Sequence, residues 1–236
     1  MTGTSLNSEM VERVALLLGD LRKRVVFLGG AATGLLLTDP GAPPIRATRD
    51  VDVIVQIGGW LEYRALEVRL LALGFRQDQS EGAPLCRWTQ EGLFLDVMPT
   101  DPSILGFSNR WYEKALKESK VYTLPGGTEI QLVSAPCFLA TKLEAFLGRG
   151  HGDFLGSHDL EDVVSLLDGR EGLVGEIGAS TPDLRDFISD TFHQCLKDDN
   201  FMASVQGNLP PDPASQARFP PLMERLRILS MGRSPG

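Results

Sequence analysis

Hydrophobic positions along the first half of the chain switch between a helical and a strand rhythm. Met10, Val11, Val14, Leu17, Leu18 and Leu21 recur three and four apart, which predicts an amphipathic helix over 8–22 with Ser8 as its N-cap. Val25–Leu28 is an apolar run short enough for a buried strand. It leads into Gly29-Gly30 and a helical start of small residues, Ala31 to Leu37, closed by turn chemistry at Thr38-Asp39-Pro40-Gly41. The next strand is predicted over 50–55, where Asp50 and Asp52 alternate with Val and Ile. Helical spacing returns over 60–73, with Gly74 as a stop. Two strand-like runs, 85–90 and 93–98, flank Glu91-Gly92, and a two-residue turn ending in glycine predicts a hairpin. A short helix over 109–120 sets Trp111, Tyr112, Ala115 and Leu116 beside Lys114, Lys117 and Lys120, a basic side that suits an acceptor RNA or a solvated face. A second hairpin is expected from 121–123 and 128–133 around Pro125-Gly126-Gly127.

Beyond Ser134 the strand rhythm stops. Ser134-Ala-Pro136 reads as a helix start with serine as cap and proline in the first turn, and the helix is expected to run from Cys137 to Leu147. Another helix begins at Ser157-His158-Asp159, and the segments 171–207 and 219–231 are helical, separated by a turn at Pro210-Pro-Asp-Pro and followed by a tail, Gly232 to Gly236. The pattern predicts an α+β fold in two domains. An N-terminal mixed sheet with flanking helices spans 1–133, and a C-terminal α-helical domain spans 134–236.

Composition narrows the class. A chain of 236 residues, 42% of them hydrophobic, supports one large core or two small ones. Cys86, Cys137 and Cys195 are odd in number and lack CxxC spacing, which argues against a disulfide framework. His151, His158 and His193 stand at no zinc-ligand spacing. No apolar run approaches the ~18 residues of a membrane span, and Met1 to Met10 is polar, so the expected location is cytoplasmic, with no membrane partner. The net charge of −8 excludes a broadly basic nucleic-acid surface. The acidity is concentrated late: residues 1–130 carry 16 acids against 14 bases, and 131–236 carry 15 against 9.

The candidate chemistry lies at Gly29-Gly30 and at Asp50 and Asp52. Side chains two apart on a strand share a face, roughly 6–7 Å apart along the backbone, and paired carboxylates repel unless a cation lies between them. Asp96 interrupts a strand that is otherwise apolar, and a buried carboxylate needs a cation or strong donors. A double glycine opening a helix lets backbone N–H groups approach a phosphate. The alternative is a tight β–α turn with two solvated aspartates. Asp101, in Pro-Thr-Asp-Pro, reads as a turn or capping residue.

Gly29-Gly30 followed by Arg46-x-Thr48-x-Asp50-x-Asp52 resembles the signature of the DNA polymerase β-type nucleotidyltransferase superfamily. The variant is similar to the AbiEii-like branch, known for toxins of toxin–antitoxin pairs. The second glycine position is often serine in the superfamily, so Gly30 supplies no hydroxyl. Lys142-Leu-Glu-Ala-Phe-Leu-Gly-Arg149 is similar to that branch's Lys-x-x-Ala-x-x-x-Arg element, whose lysine faces the nucleotide. Ser157-His158-Asp159-Leu-Glu-Asp162 resembles its Lys-Asp-x-x-Asp element, with His158 where lysine is usual.

The resemblance implies transfer of a nucleoside monophosphate from an NTP in a cleft between the domains, assisted by two magnesium ions on Asp50, Asp52 and Asp96. Gly29 and Gly30 then hold the phosphates, and Arg46 and Lys142 neutralise the pyrophosphate. Thr48 orients the start of the strand or donates one hydrogen bond. Arg149, Asp159 and Asp162 support the site or, for the two acids, cap their helix. The loop His151-Gly-Asp-Phe-Leu-Gly stands where a lid would. The implied acceptor is tRNA or protein, with an antitoxin as partner. A cationic small molecule of the aminoglycoside kind suits the acidic second half better, and a nucleotide-binding regulator without turnover is the third reading.

Overall fold

The computed structural model describes residues 3–149 and 153–232, and the Arg149 side chain, His151, Gly152 and residues 233–236 lie outside the described part. Two compact units emerge. One holds the chain up to Leu35 together with Arg46–Ser134, and the other holds Leu36–Ile45 together with the chain from Ala135 onward. The expected α+β architecture is present: a seven-stranded mixed sheet in the first unit and helices in the second.

The first unit runs α1 (Gly3–Leu18), β1 (Val25–Leu28), α2 (from Gly29, ending at Leu36), β2 (Asp50–Val55), α3 (Trp60–Ala72), β3 (Arg76–Gln77), β4 (Arg87–Gln90), β5 (Leu93–Pro99), α4 (Pro102–Leu105), α5 (Tyr112–Lys117), β6 (Lys120–Thr123) and β7 (Glu129–Leu132). Strand order across the sheet is β3-β4-β5-β2-β1-β7-β6. β1 is antiparallel to β2 and parallel to β7, while β2 is parallel to β5. These central strands carry the apolar runs of the sequence, and Phe27, Val51, Val53, Ile54 and Leu95 are fully buried. Strands covered on both faces read as near-continuous apolar stretches, so the two acids of β2 stand out against that background.

The turn between β4 and β5 has positive φ at both Glu91 (50°) and Gly92 (75°), the backbone that matches the twist of a two-residue hairpin. Asp101 caps α4 by accepting from the Ser103 N–H at 2.9 Å, which realises its reading as a capping residue. The helix expected over 8–22 begins instead at Gly3 and ends at Leu18, followed by a 3-10 turn over Gly19–Lys23, so Ser8 lies inside it and caps nothing. Residues 3–7 carry no helical apolar rhythm because their inward residue is polar. Asn7, 1% exposed, donates to the Arg46 carbonyl at 3.0 Å and accepts from the Thr48 N–H at 3.1 Å, fixing the backbone that leads into β2. The two-residue edge strand β3 is too short to leave a strand rhythm in the sequence.

The second unit contains α6 (Ala135–Arg149), α7 (His158–Gly169), α8 (Leu173–Gly178), α9 (Pro182–Cys195), α10 (Asp199–Gly207), α11 (Pro213–Gln216) and α12 (Phe219–Ser230). Its core draws on Phe138, Leu143, Leu160, Val163, Leu184, Ile188, Phe192, Phe201 and Leu226. Ser157 caps α7 through the Leu160 N–H. Ser134 does not play the capping part expected of it, because its hydroxyl is buried without a hydrogen-bond partner.

The segment Leu36–Ile45 joins this unit through the end of α7. The Thr38 and Asp39 N–H groups both donate to the Gly169 carbonyl, at 2.8 and 3.0 Å. A Cβ on Gly169 would meet Leu37 and Ala42 at 3.0–3.2 Å, so glycine permits the close approach. Arg218 completes the clasp, with Nε on Asp168 at 2.7 Å and Nη2 on Asp39 at 2.5 Å. Among the described residues no helix is long and apolar enough to cross a membrane.

Candidate functional site

The register between β2 and β5 decides which acids meet. Asp52 stands directly opposite Asp96, and Asp50 opposite Phe94. Paired residues in a ladder share a face, and residues two apart on one strand do as well, so Asp50, Asp52 and Asp96 all lie on one face of the sheet. On the other side of Asp52, β1 places Leu28 opposite it, immediately before the glycine turn. One stretch of sheet thus carries three carboxylates beside the start of α2.

Glycine is required at that start. Gly29 has φ of +75°, and a Cβ there would lie 1.8 Å from Asp52 Oδ2 and 2.5 Å from its Cγ. The Asp52 carboxylate therefore lies where any larger residue's side chain would be. Gly29 and Gly30 are both buried, as are Ala31 and Ala32 behind them. The small-residue run that marks the motif in sequence is, in the fold, what lets a helix N-terminus come against the acid-bearing strand.

Arg87, which the sequence reading passed over, occupies the middle of the face. It pairs with Asp96 across β4 and β5. Its Nε donates to Asp96 Oδ1 at 2.8 Å and its Nη2 to Asp96 Oδ2 at 2.7 Å, a fork on one carboxylate, while the same Nη2 reaches Asp50 Oδ2 at 2.5 Å. Thr48 Oγ1 donates to the other Asp50 oxygen at 2.8 Å. The guanidinium also lies 5.1 Å from the Phe94 ring centroid. Hydrogen bonding to Asp96 is the chief reason its pKa is driven still higher, so it is a permanent cation. A signal for it existed in the sequence. A two-residue turn at 91–92 pairs 90 with 93 and therefore 87 with 96.

Cys86, the residue before Arg87, is buried. Burial first, then the negative charges of Asp96 and Asp52, push its thiol up to about 12. Arg46 contributes its carbonyl to Asn7. Arg49 is exposed.

In the second unit, Lys142 Nζ donates to Asp159 at 3.2 Å and to Asp162 at 2.6 Å, with all three side chains nearly buried. Asp159 and Asp162 are thus drawn onto a lysine of α6. The nucleotide contact that the resemblance implies for Lys142 requires it to exchange both carboxylates for phosphate. His158 is exposed and lies 3.3 Å from Glu161. The Arg149 side chain and His151 and Gly152 of the expected lid fall outside the described residues. The basic side of α5 is offset by acids on the same helix or at its end, Lys114 with Glu118 at 2.9 Å and Lys117 with Glu113 at 3.6 Å.

The donor set fits a hard cation: three carboxylates on one face offer oxygen ligands of the kind magnesium takes. As arranged, they hold a guanidinium. Among the described residues no three Asp, Glu, His or Cys side chains are gathered as a metal cage, and Arg87 bridges Asp50 and Asp96. The Asp52–Asp96 pair is the part of the set whose register suits an ion, and each carboxylate oxygen retains a second lone pair beyond one hydrogen bond.

No family model matches the sequence, and no curated protein matches it. Among solved structures the chain is similar to an antigenic nucleotidyltransferase-like protein from Paracoccidioides brasiliensis, at 18% identity and a TM-score of 0.49, with 95% of this chain and 93% of that one covered. It is also similar to JHP933 from Helicobacter pylori, at 15% identity and a TM-score of 0.48, with 95% and 91% covered.

Proposed function

We propose that the first unit carries a divalent-cation-dependent nucleotidyltransferase site that moves a nucleoside monophosphate from an NTP to an acceptor and releases pyrophosphate. The observation that supports it is Asp52 in register with Asp96, against the glycine start of α2. Transfer forms a bond from the acceptor oxygen to the α-phosphorus, with the hydroxyl proton passing to solvent, and breaks the bond from that phosphorus to the bridging oxygen of the pyrophosphate. Asp52 and Asp96, with Asp50 beside them, would hold the cation, which supplies Lewis acidity toward the phosphate oxygens and the acceptor hydroxyl. The Gly29 and Gly30 backbone and the N-terminus of α2 favour the negative charge of the polyphosphate. Thr48 and Asn7 fix the start of β2, so that Asp50 is held before substrate arrives. Arg46, on the same segment, would oppose the negative charge of the leaving pyrophosphate.

Membership of the AbiEii-like branch, a tRNA or protein acceptor and an antitoxin partner are the finer form of this proposal, and they rest on the motif spacing alone. A second reading, a cationic small-molecule acceptor of the aminoglycoside kind, draws on two observations. The 131–236 segment holds 15 acids against 9 bases, and the lysines of α5 are offset by neighbouring glutamates. The test is incubation with each α-labelled NTP and magnesium, offering tRNA, protein and aminoglycosides separately. Label on one acceptor class, lost in Asp52→Asn and Asp96→Asn, supports transfer and selects the acceptor. Binding of NTP without label on any acceptor favours the regulator. Transfer that persists in both variants overturns the site.

A further inference from the structure

α3 is apolar on two opposite faces. Tyr63, Leu66 and Leu70 are buried, which accounts for one of them. On the other, Leu61, Ala65, Val68 and Ala72 recur at spacings of four, three and four, and all four are exposed, Leu61 by 90% and Val68 by 65%. At about 100° per residue these positions fall within about 60° of one another, a continuous seam of coiled-coil width. A surface helix ordinarily turns charge toward water opposite its buried stripe, and an apolar seam in that place marks a helix that meets another. We propose that it meets its own copy: two chains pair through α3, antiparallel, about a two-fold axis level with the step from Leu66 to Glu67. The proposal does not depend on the nucleotidyl-transfer reading.

Three observations select a second copy in this orientation. The first is size. Large and small residues alternate along the seam, so an antiparallel copy sets Leu61 against Ala72 of the second copy and Ala65 against its Val68, each knob facing a hole. The second is charge. Glu62 and Arg69, both exposed, flank the seam on one side. In the antiparallel pair each Glu62 stands within about 3 Å of the level of Arg69 of the second copy, at 1.5 Å rise per residue, giving two symmetric ion pairs. Glu62 accepts from the Gly58 N–H through Oε2 at 2.8 Å, and its carboxylate has lone pairs for a further donor. A parallel pair would instead bring Arg64 against Arg69 across the seam, like charge on like. The third is the opposite flank. Arg64 is neutralised there by Glu67 at 2.7 Å, and Leu71, 45% exposed, stands one and a half to two turns further on, so the Arg64 stem is free to lie on Leu71 of the second copy. A helix of 13 residues is about 20 Å long, which puts the contact at the small end for a specific dimer and makes the association weak and reversible.

The experiment is sedimentation equilibrium of the full chain from about 1 to 300 µM, a range that brackets micromolar dissociation constants. The mass is expected to rise from one chain toward two and no further. Leu61→Glu and Val68→Glu, at positions whose side chains face water in the single chain, are expected to weaken the dimer by about tenfold or more while leaving the circular dichroism and melting of dilute protein unchanged. Leu16→Glu, at a 61% exposed leucine of α1, is the control and should leave the dimer as it is. Glu62→Arg sets arginine against arginine and should weaken association about threefold or more, and adding Arg69→Glu, which exchanges the two charges, should restore it. A single chain at every concentration overturns the proposal. So does a dimer that Val68→Glu leaves intact, or one that Leu16→Glu disrupts as strongly. Loss in Glu62→Arg without recovery in the double variant overturns the antiparallel pairing.

Discussion

Replacing Gly29 by alanine puts the account of the glycine turn at risk in a measurable way. Two penalties act together. A residue with a Cβ at φ of +75° occupies the left-handed region, which costs about 1–2 kcal/mol. The new methyl would also lie 1.8 Å from Asp52 Oδ2, 2.5 Å from its Cγ and 2.7 Å from its Cβ, so the carboxylate must move. Overpacking of a fitted site adds about 1–3 kcal/mol. The expected loss is therefore about 2–5 kcal/mol, read as a lower urea midpoint with an unchanged slope. The second share belongs to Asp52 and can be separated. In the double-mutant cycle with Asp52→Ala, the Oδ2 and Cγ overlaps vanish, so the pair of changes should cost less than the sum of the singles by about 1 kcal/mol or more. A Gly29→Ala protein within about 0.5 kcal/mol of the wild type, or strict additivity in the cycle, would show that Asp52 does not lie against this turn.

Other consequences concern the rest of the chain. Lys142→Met leaves Asp159 and Asp162 facing each other in a nearly buried place, and removing one partner of a buried ion cluster costs about 3–5 kcal/mol; adding Asp159→Asn and Asp162→Asn should return most of that in a urea titration, whereas no rescue would mean that the lysine is held otherwise. Stability should also fall on the alkaline side. Burial raises Cys86 from 9.0 to about 12 and Tyr63 from 10.0 to about 12, so the folded state keeps protons that the unfolded chain has released. Stability is then fully present below about pH 9 and is lost as pH rises toward 12, and the urea midpoint between pH 9 and 11 should drop less steeply in Cys86→Ala than in the wild type.

Much of the first unit is legible in the sequence because its signals are local. The apolar run Val25–Leu28, the glycines after it and the two-residue turn at Glu91-Gly92 each constrain the chain within a few residues. The turn even contains the position of Arg87, since it sets the register of the hairpin. That step needs the pairing to be counted through, and a lone arginine in a strand gives no other sign. Asn7 illustrates the opposite case. Its partners lie 39 and 41 positions away, and a polar residue in the first turns of a helix reads as solvent-facing. The attachment of Leu36–Ile45 to the helical unit is likewise hidden, because it depends on Gly169, Asp168 and Arg218, far along the chain. The pairing of Lys142 with Asp159 and Asp162 is hidden as well, because the spacing that singles these residues out does not say that they bond to one another.

The most direct measurement of the central claim is NTP affinity with and without a divalent cation, free of any choice of acceptor. Titration of a fluorescent NTP analogue into the full chain should show binding that needs Mn2+ and that weakens at least tenfold in Asp52→Asn and Asp96→Asn proteins whose melting temperatures stay within a few degrees of the wild type. Equal affinity without the cation, or in the folded variants, would contradict the assignment of the carboxylate face of β2 and β5 as the place where a polyphosphate is held.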